Sequence, residues 1–135
     1  LALVADGIMM ASRFINTTEC KAHGEIKQQL IERQEYETTL YGRTTQLQGR
    51  ALKNAVITEI LEVEARHGTL EELQPLLDGT RQTGVWEEGL VDAAVLPVGQ
   101  SIGLIKDVVS CEELLDRIMK EAEESLNKAT AHFTS

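Results

Sequence analysis

Apolar residues recur at helical spacing in three stretches of the chain. Ile26, Leu30 and Ile31 predict a helix reaching about Glu32, with Thr17 and Thr18 as candidate caps. Leu52, Val56, Ile60 and Val63 follow at steps of four, four and three, and Ile57 and Leu61 widen that face, so a helix is predicted from Arg50 to His67-Gly68. Leu115, Ile118, Met119, Ala122 and Leu126 form the expected buried stripe of a last helix from about Cys111 into the 120s. Opposite that stripe, Glu113 with Arg117, Asp116 with Lys120 and Glu124 with Lys128 stand in favourable i,i+4 order. Ser110 with Glu113, and Thr69 with Glu72, have the spacing of capping boxes. The second opens a short helix ending by Gly79; Pro75 inside it predicts a kink or a later start.

Elsewhere the pattern changes. "LALVA" is helix-compatible, Asp6-Gly7 breaks it, and Ile8-Met9-Met10 is a short continuous apolar run of the kind a strand buried on both faces carries. Such strands belong to parallel sheets covered by helices, so this run implies neighbours that the chain does not obviously contain. The opening apolar run, without an initiator Met, reads as the end of an element whose start is missing, and a fragment is expected. "YETTLYGRTTQLQGR", rich in Thr and Tyr and punctuated by glycine, reads as extended or irregular chain. The glycine-rich stretch from Thr80 to Val109 is expected to connect rather than build, apart from a short helix around Ser101 to Ile105. No repeat or composition break divides the 135 residues, so one domain, or part of one, is expected.

Charge narrows the functions. Thirteen Lys and Arg against 22 Asp and Glu give a formal charge of −9, which repels polyanions and argues against nucleic acid and anionic membranes as partners. No apolar run approaches the roughly 20 residues a spanning helix needs. Cys20 and Cys111 are far apart and outside any Cys-x-x-Cys pair, so a reduced, cytoplasmic setting is the simplest expectation.

Candidate chemistry is sparse. Cys20, His23 and Glu19 have a possible metal-ligand spacing but no second ligand pair, and a buried thiol beside a helix-start histidine explains them as well. His67 suits a helix C-terminus and His132 a frayed tail. No turn marks a nucleophile, so no catalytic or metal-binding residue is assigned. Ala11-Ser12-Arg13 is different: small residues directly after a buried strand let backbone amides approach a phosphate, and a serine hydroxyl adds a donor. Such sites commonly follow the last strands of a (β/α)8 barrel, although a tight turn with no ligand has the same signature.

Four collinear stretches carry a resemblance. "LVADGIMMASRF" is similar to "LGADGVQMGTRF", "INTTECKAHGEIK" to "ATxExxAHPxYK", and "GRALKNAVITEILEVEAR" to "ARxLKNAVxxEVxEIE". "GLVDAAVLPVGQSIGLIKDVVSCEELLDRIMKEAEESL" is similar to "GDVDAGxxxAGQxxGLIxDIPSxxELLxRIxxEAEAxL". The chain thus resembles the C-terminal part of the nitronate monooxygenase family, once called 2-nitropropane dioxygenases, which also includes flavin-type enoyl-acyl-carrier-protein reductases.

The resemblance implies an α/β fold, with this chain as the mostly helical end of a flavin-binding (β/α)8 (TIM) barrel. Residues 1–35 would hold the last barrel strand, phosphate loop and following helix, and residues 36–135 a helical extension. It implies FMN as cofactor, its phosphate held at Met9, Met10, Ala11 and Ser12, with NAD(P)H in the reductase branch. The implied activity is oxidation of alkyl nitronates with O₂, or reduction of an enoyl thioester, on a small-molecule substrate. The family's catalytic histidine and glycine-rich loop have no match in this sequence, so the chain alone is expected to be inactive. Met9 and Ala11 stand where the family has Gln and Gly, and Gly24 where it has Pro; a methyl at Ala11 crowds a phosphate contact if that residue needs positive φ. A stand-alone helical interaction module without flavin is the alternative from another class. As an isolated fragment, with the edges of Ile8-Met10 and the apolar helix faces around Val56 and Ile118 exposed, the chain is expected to self-associate.

Overall fold

The computed structural model describes residues 6–45 and 48–131. The helix end read at residues 1–5 and the tail residue His132 lie outside them.

The strongest periodic stretch forms helix α3, Ala55–Ala65, but it begins at Ala55 rather than Arg50. Arg50 to Leu52 belong instead to strand β2, Gly49–Leu52, which pairs antiparallel with β1, Thr38–Tyr41, placing Thr38 opposite Leu52 and Tyr41 opposite Gly49. The helical spacing of Leu52 is therefore misleading: its amide donates to the Leu96 carbonyl at 3.0 Å, and Val98 N–H donates to the Arg50 carbonyl at 3.3 Å. Asn54 makes the change from strand to helix. Its Oδ1 caps α3 by accepting from Ile57 N–H, while its Nδ2 donates to the carbonyls of Val91 and Ala94 at 2.7 and 2.8 Å.

α3 ends in a paired-carbonyl motif in which His67 N–H bonds Glu64 and Gly68 N–H bonds Val63. His67 occupies the left-handed position of that motif, at φ 56°, where glycine is usual. Glu64 is buried on α3 and organises the start of the hairpin loop, accepting from Gly42 N–H and from Thr44 N–H and hydroxyl. Helix α4, Leu70–Leu77, starts at the expected capping box of Thr69 and Glu72 and runs through Pro75. A later start is thus not needed, because the box satisfies the first-turn amides and Pro75 removes only one later bond.

The stretch from Thr80 to Val109 builds more than it connects. It folds helix α5, Gln82–Glu88, and a 3₁₀ turn at Gln100–Leu104, and it buries Val85, Ala94, Leu96, Val98, Ile102 and Ile105 against Ile26 and Leu30 of helix α2, Gly24–Glu32. Gly89 closes α5 at φ 74°, where a Cβ would also meet the His23 ring. Helix α2, Gly24–Glu32, is capped by His23 rather than by Thr17 or Thr18: the His23 ring Nδ1 accepts from Glu25 N–H. Thr17 instead lies buried and donates to Phe14, and Thr18 N–H bonds the Val109 carbonyl. A second cluster joins Ala51, Val56, Ile57, Ile60, Val63, Leu73 and Leu76 with Val95.

One side of the molecule is left open. Ile8 to Met10 have no strand partner, and Met9 is 98% exposed, because a two-sided strand needs neighbours on both edges and none lies among the described residues. The last helix, α6, spans Cys111–Ala131, yet of its apolar residues only Leu114 is buried; Leu115, Met119 and Leu126 of the expected stripe are exposed, and Ile118 and Ala122 are half-buried. The stripe's spacing is real, but nothing among the described residues packs over it.

Candidate functional site

Met9, Met10, Ala11 and Ser12 line one cavity of about 810 Å³. The chain turns there into the single-turn helix α1, Ser12–Ile15, whose Phe14 and Ile15 amides are spent on the Ala11 carbonyl. The amides of Ala11, Ser12 and Arg13 have no backbone acceptor among the described residues, as expected at a helix start. Ala11 sits at φ −119°, so its methyl group imposes no left-handed strain. Met9 and Leu104, both largely exposed, are apolar walls of the same cavity.

The opposite wall comes from a segment to which sequence reasoning gave no role. Gly99 N–H donates to the Ser12 hydroxyl at 3.0 Å across 87 positions of sequence, and Ser101, Lys106 and Asp107 line the cavity with it. The signal was present in the match of "VGQSIGLIKDVVS" to a family motif, but spacing alone gave no partner for it. Lys106 forms no ion pair among the described residues.

Asp107 joins both walls to α6. Arg13 donates from Nη2 to Asp107 Oδ1 at 2.7 Å and from Nη1 to the Asp107 carbonyl, while Arg117 donates from Nη1 to Oδ2. Arg117 also bonds Glu113, the i,i+4 pair expected on the solvent side. The hydrogen bond from Arg117, joined by the charges of Arg117 and Arg13, holds the Asp107 carboxyl below the usual carboxylate range.

The other candidates have structural duties. His23 caps α2, and Glu19 accepts from Cys111 N–H at the start of α6, a contact that lowers its carboxyl pKa. The described residues hold no grouping of three or more His, Cys, Asp or Glu suited to a metal. Among them no helix is long and apolar enough to cross a membrane.

The arrangement is that of part of a (β/α)8-barrel protein, mostly helical, with a loop of unspent amides at one cavity. FabK from Thermotoga maritima shares this fold, with a TM-score of 0.88 at 24% identity over 97% of this chain and 41% of that chain. A point mutant of FabK from the same organism gives 0.80 at 24% identity, over 97% of this chain and 39% of that one. The chain therefore spans about two fifths of the length of these structures. It belongs to the nitronate monooxygenase family, whose model matches residues 1–121. The family is a group of FMN-dependent oxidoreductases.

The donor set fits a phosphate such as that of FMN: amides at residues 11–13 and a Ser12 hydroxyl proton with no acceptor among the described residues, and the Lys106 ammonium, which has no ion pair among them.

Proposed function

We propose that this chain is the C-terminal part of an FMN-dependent nitronate monooxygenase, in which residues 9–12 hold the flavin phosphate and the chain alone does no chemistry. The observation that carries the reading is the cavity at which the small-residue loop, with its unspent amides, meets the segment after Gly99. When bound, FMN supplies the redox chemistry that passes electrons from a nitronate to O₂. The residues of this chain do the holding: the amides of Ala11, Ser12 and Arg13 and the Lys106 ammonium meet phosphate charge, and Ser12 ties the loop to Gly99. Met9, Met10 and Leu104 form the apolar side of the cavity.

The covering of about two fifths of FabK, together with the unpartnered Ile8 to Met10 run and α6 stripe, supports a division in which the rest of a barrel covers this face. Residues 1–35 then end the barrel and residues 36–135 form its extension. In isolation the same face is expected to bring copies of the chain together.

The test is to express the complete gene beside the 135-residue chain and record flavin absorbance, nitronate-dependent O₂ uptake and NAD(P)H-dependent reduction of an enoyl thioester. A yellow long product that consumes O₂ only with nitronate supports the proposal. Enoyl reduction without nitronate oxidation moves the protein to the reductase branch, and a colourless gene product of this length leaves a flavin-free interaction module.

A further inference from the structure

Three segments meet at the cavity without any continuous backbone element joining them: the loop into α1, the chain after the 3₁₀ turn at Gln100–Leu104, and the first turns of α6. A single carboxylate connects all three. Asp107 stands on the second segment, accepts from Arg13 of the first through one oxygen, and accepts from Arg117 of the third through the other. Arg13 immediately follows Ser12, its side chain is only 16% exposed, and its Nη1 is shared between the Asp107 and Asn16 carbonyls. Its guanidinium therefore has three acceptors, which restrain the backbone that carries it.

We propose that Asp107 is a positioning residue for the anion site: by holding Arg13 and Arg117 together, it fixes the amides of residues 11–13 and the α6 wall in the arrangement a flavin phosphate needs. This rests on the reading of residues 9–12 as the phosphate loop. Asp107 itself, an anion, does not touch the phosphate; it acts through Arg13. The physical reason is preorganisation. Amides already fixed before the ligand arrives lose little freedom on binding, whereas a loop released from its clamp must be ordered at the ligand's expense. Removing the carboxylate would also leave two guanidinium groups facing each other without their shared counter-charge.

The experiment uses the full-length protein from the complete gene, as wild type and as Asp107→Asn, Asp107→Glu and Arg117→Gln. Three readings are taken: the FMN dissociation constant from quenching of flavin fluorescence, hydrogen exchange of the peptide spanning residues 11–13, and the unfolding midpoint. Asp107→Asn is expected to weaken FMN binding roughly 10- to 100-fold, by analogy with the loss when a group orienting a metal ligand is removed. It also speeds exchange at residues 11–13, while the midpoint stays close to wild type. Asp107→Glu restores part of the affinity, and Arg117→Gln, which keeps the Arg13 pair, loses less. A folded Asp107→Asn protein with wild-type affinity and exchange overturns the proposal. If Asp107→Asn fails to fold, Arg117→Gln decides: weaker FMN binding at an unchanged midpoint supports the clamp, and unchanged binding overturns it. If the wild type binds no FMN, the phosphate-loop reading fails, and exchange at residues 11–13 alone decides whether Asp107 fixes the loop.

Discussion

The hairpin side of the molecule and its α6 side use similar apolar content in opposite ways. Around β2 and α3, Leu52, Ile57 and Ile60 are almost fully buried, and the cap and turn groups of Asn54 and Glu64 have partners. Around residues 8–10 and α6, Met9, Leu115 and Met119 stand in the open although their spacing is as regular as that of α3. Hydrophobic periodicity thus states that a face must be covered; it does not say by what. On one side the cover comes from segments of the same chain. On the other no described residue supplies it, and that side is tied down by polar contacts such as the clamp at Asp107 and the Ser12–Gly99 bond.

The contrast gives graded expectations for unfolding of the 135-residue chain. Ile60→Ala removes a fully buried side chain and is expected to cost about 2–5 kcal/mol in denaturant unfolding, the range for large-to-small core changes. A loss under about 1 kcal/mol would mean that the hairpin side is not a close-packed core. Thr69→Ala removes the exposed α4 cap and should cost about 1 kcal/mol. His67→Gly relieves a left-handed residue at the end of α3 and should raise stability by up to about 1 kcal/mol in the same unfolding measurement. Met119→Ser, on the open face, should change the isolated chain by no more than about 0.5 kcal/mol. The same change in the full-length protein should cost several times that, and equal effects in both would remove the case for a cover over α6. Light scattering sharpens the point, because Met119→Ser is expected to reduce self-association of the isolated chain.

The smallest effect is the pH response of the clamp. The folded Asp107 carboxyl titrates below its unfolded value, so its contribution is fully present above the ordinary carboxylate range, near pH 4, and is lost as pH falls through the lower folded value. The guanidinium groups of Arg13 and Arg117 face it. Wild type should therefore lose stability more steeply than Asp107→Asn as pH falls below the ordinary carboxylate range, and parallel acid limbs would show that the pair contributes nothing. Asp107 is well exposed, so the difference will be small.

Much of the fold was legible in the sequence where the cause is local. The Thr69 and Glu72 box, the end of α3 at His67 and the start of α6 at Cys111 all depend on residues within a few positions of each other. The errors share a different cause. Leu52 has helical spacing with Val56 but is held as strand by Leu96, and Val85 to Ile105 looked like a connection because their partners in α2 lie some sixty residues away. For the candidate site, Ala11 and Ser12 read as small residues after the apolar run Ile8 to Met10, while Met9 and Met10 entered it only through the family-like stretch. Asp107 was not, since an acidic residue amid many carries no mark of the two arginines that meet it.

By itself the sequence determined what each segment can be: which residues cap, which faces are apolar, and which loop has amides to spare. Those follow from backbone stereochemistry and spacing, which act over a few residues. Only the tertiary structure decided that Gly99 meets Ser12, that Arg13 and Arg117 share Asp107, and that the stripe of α6 stays open. These are contacts between positions far apart in sequence, set by how whole faces pack, and no local pattern encodes the partner.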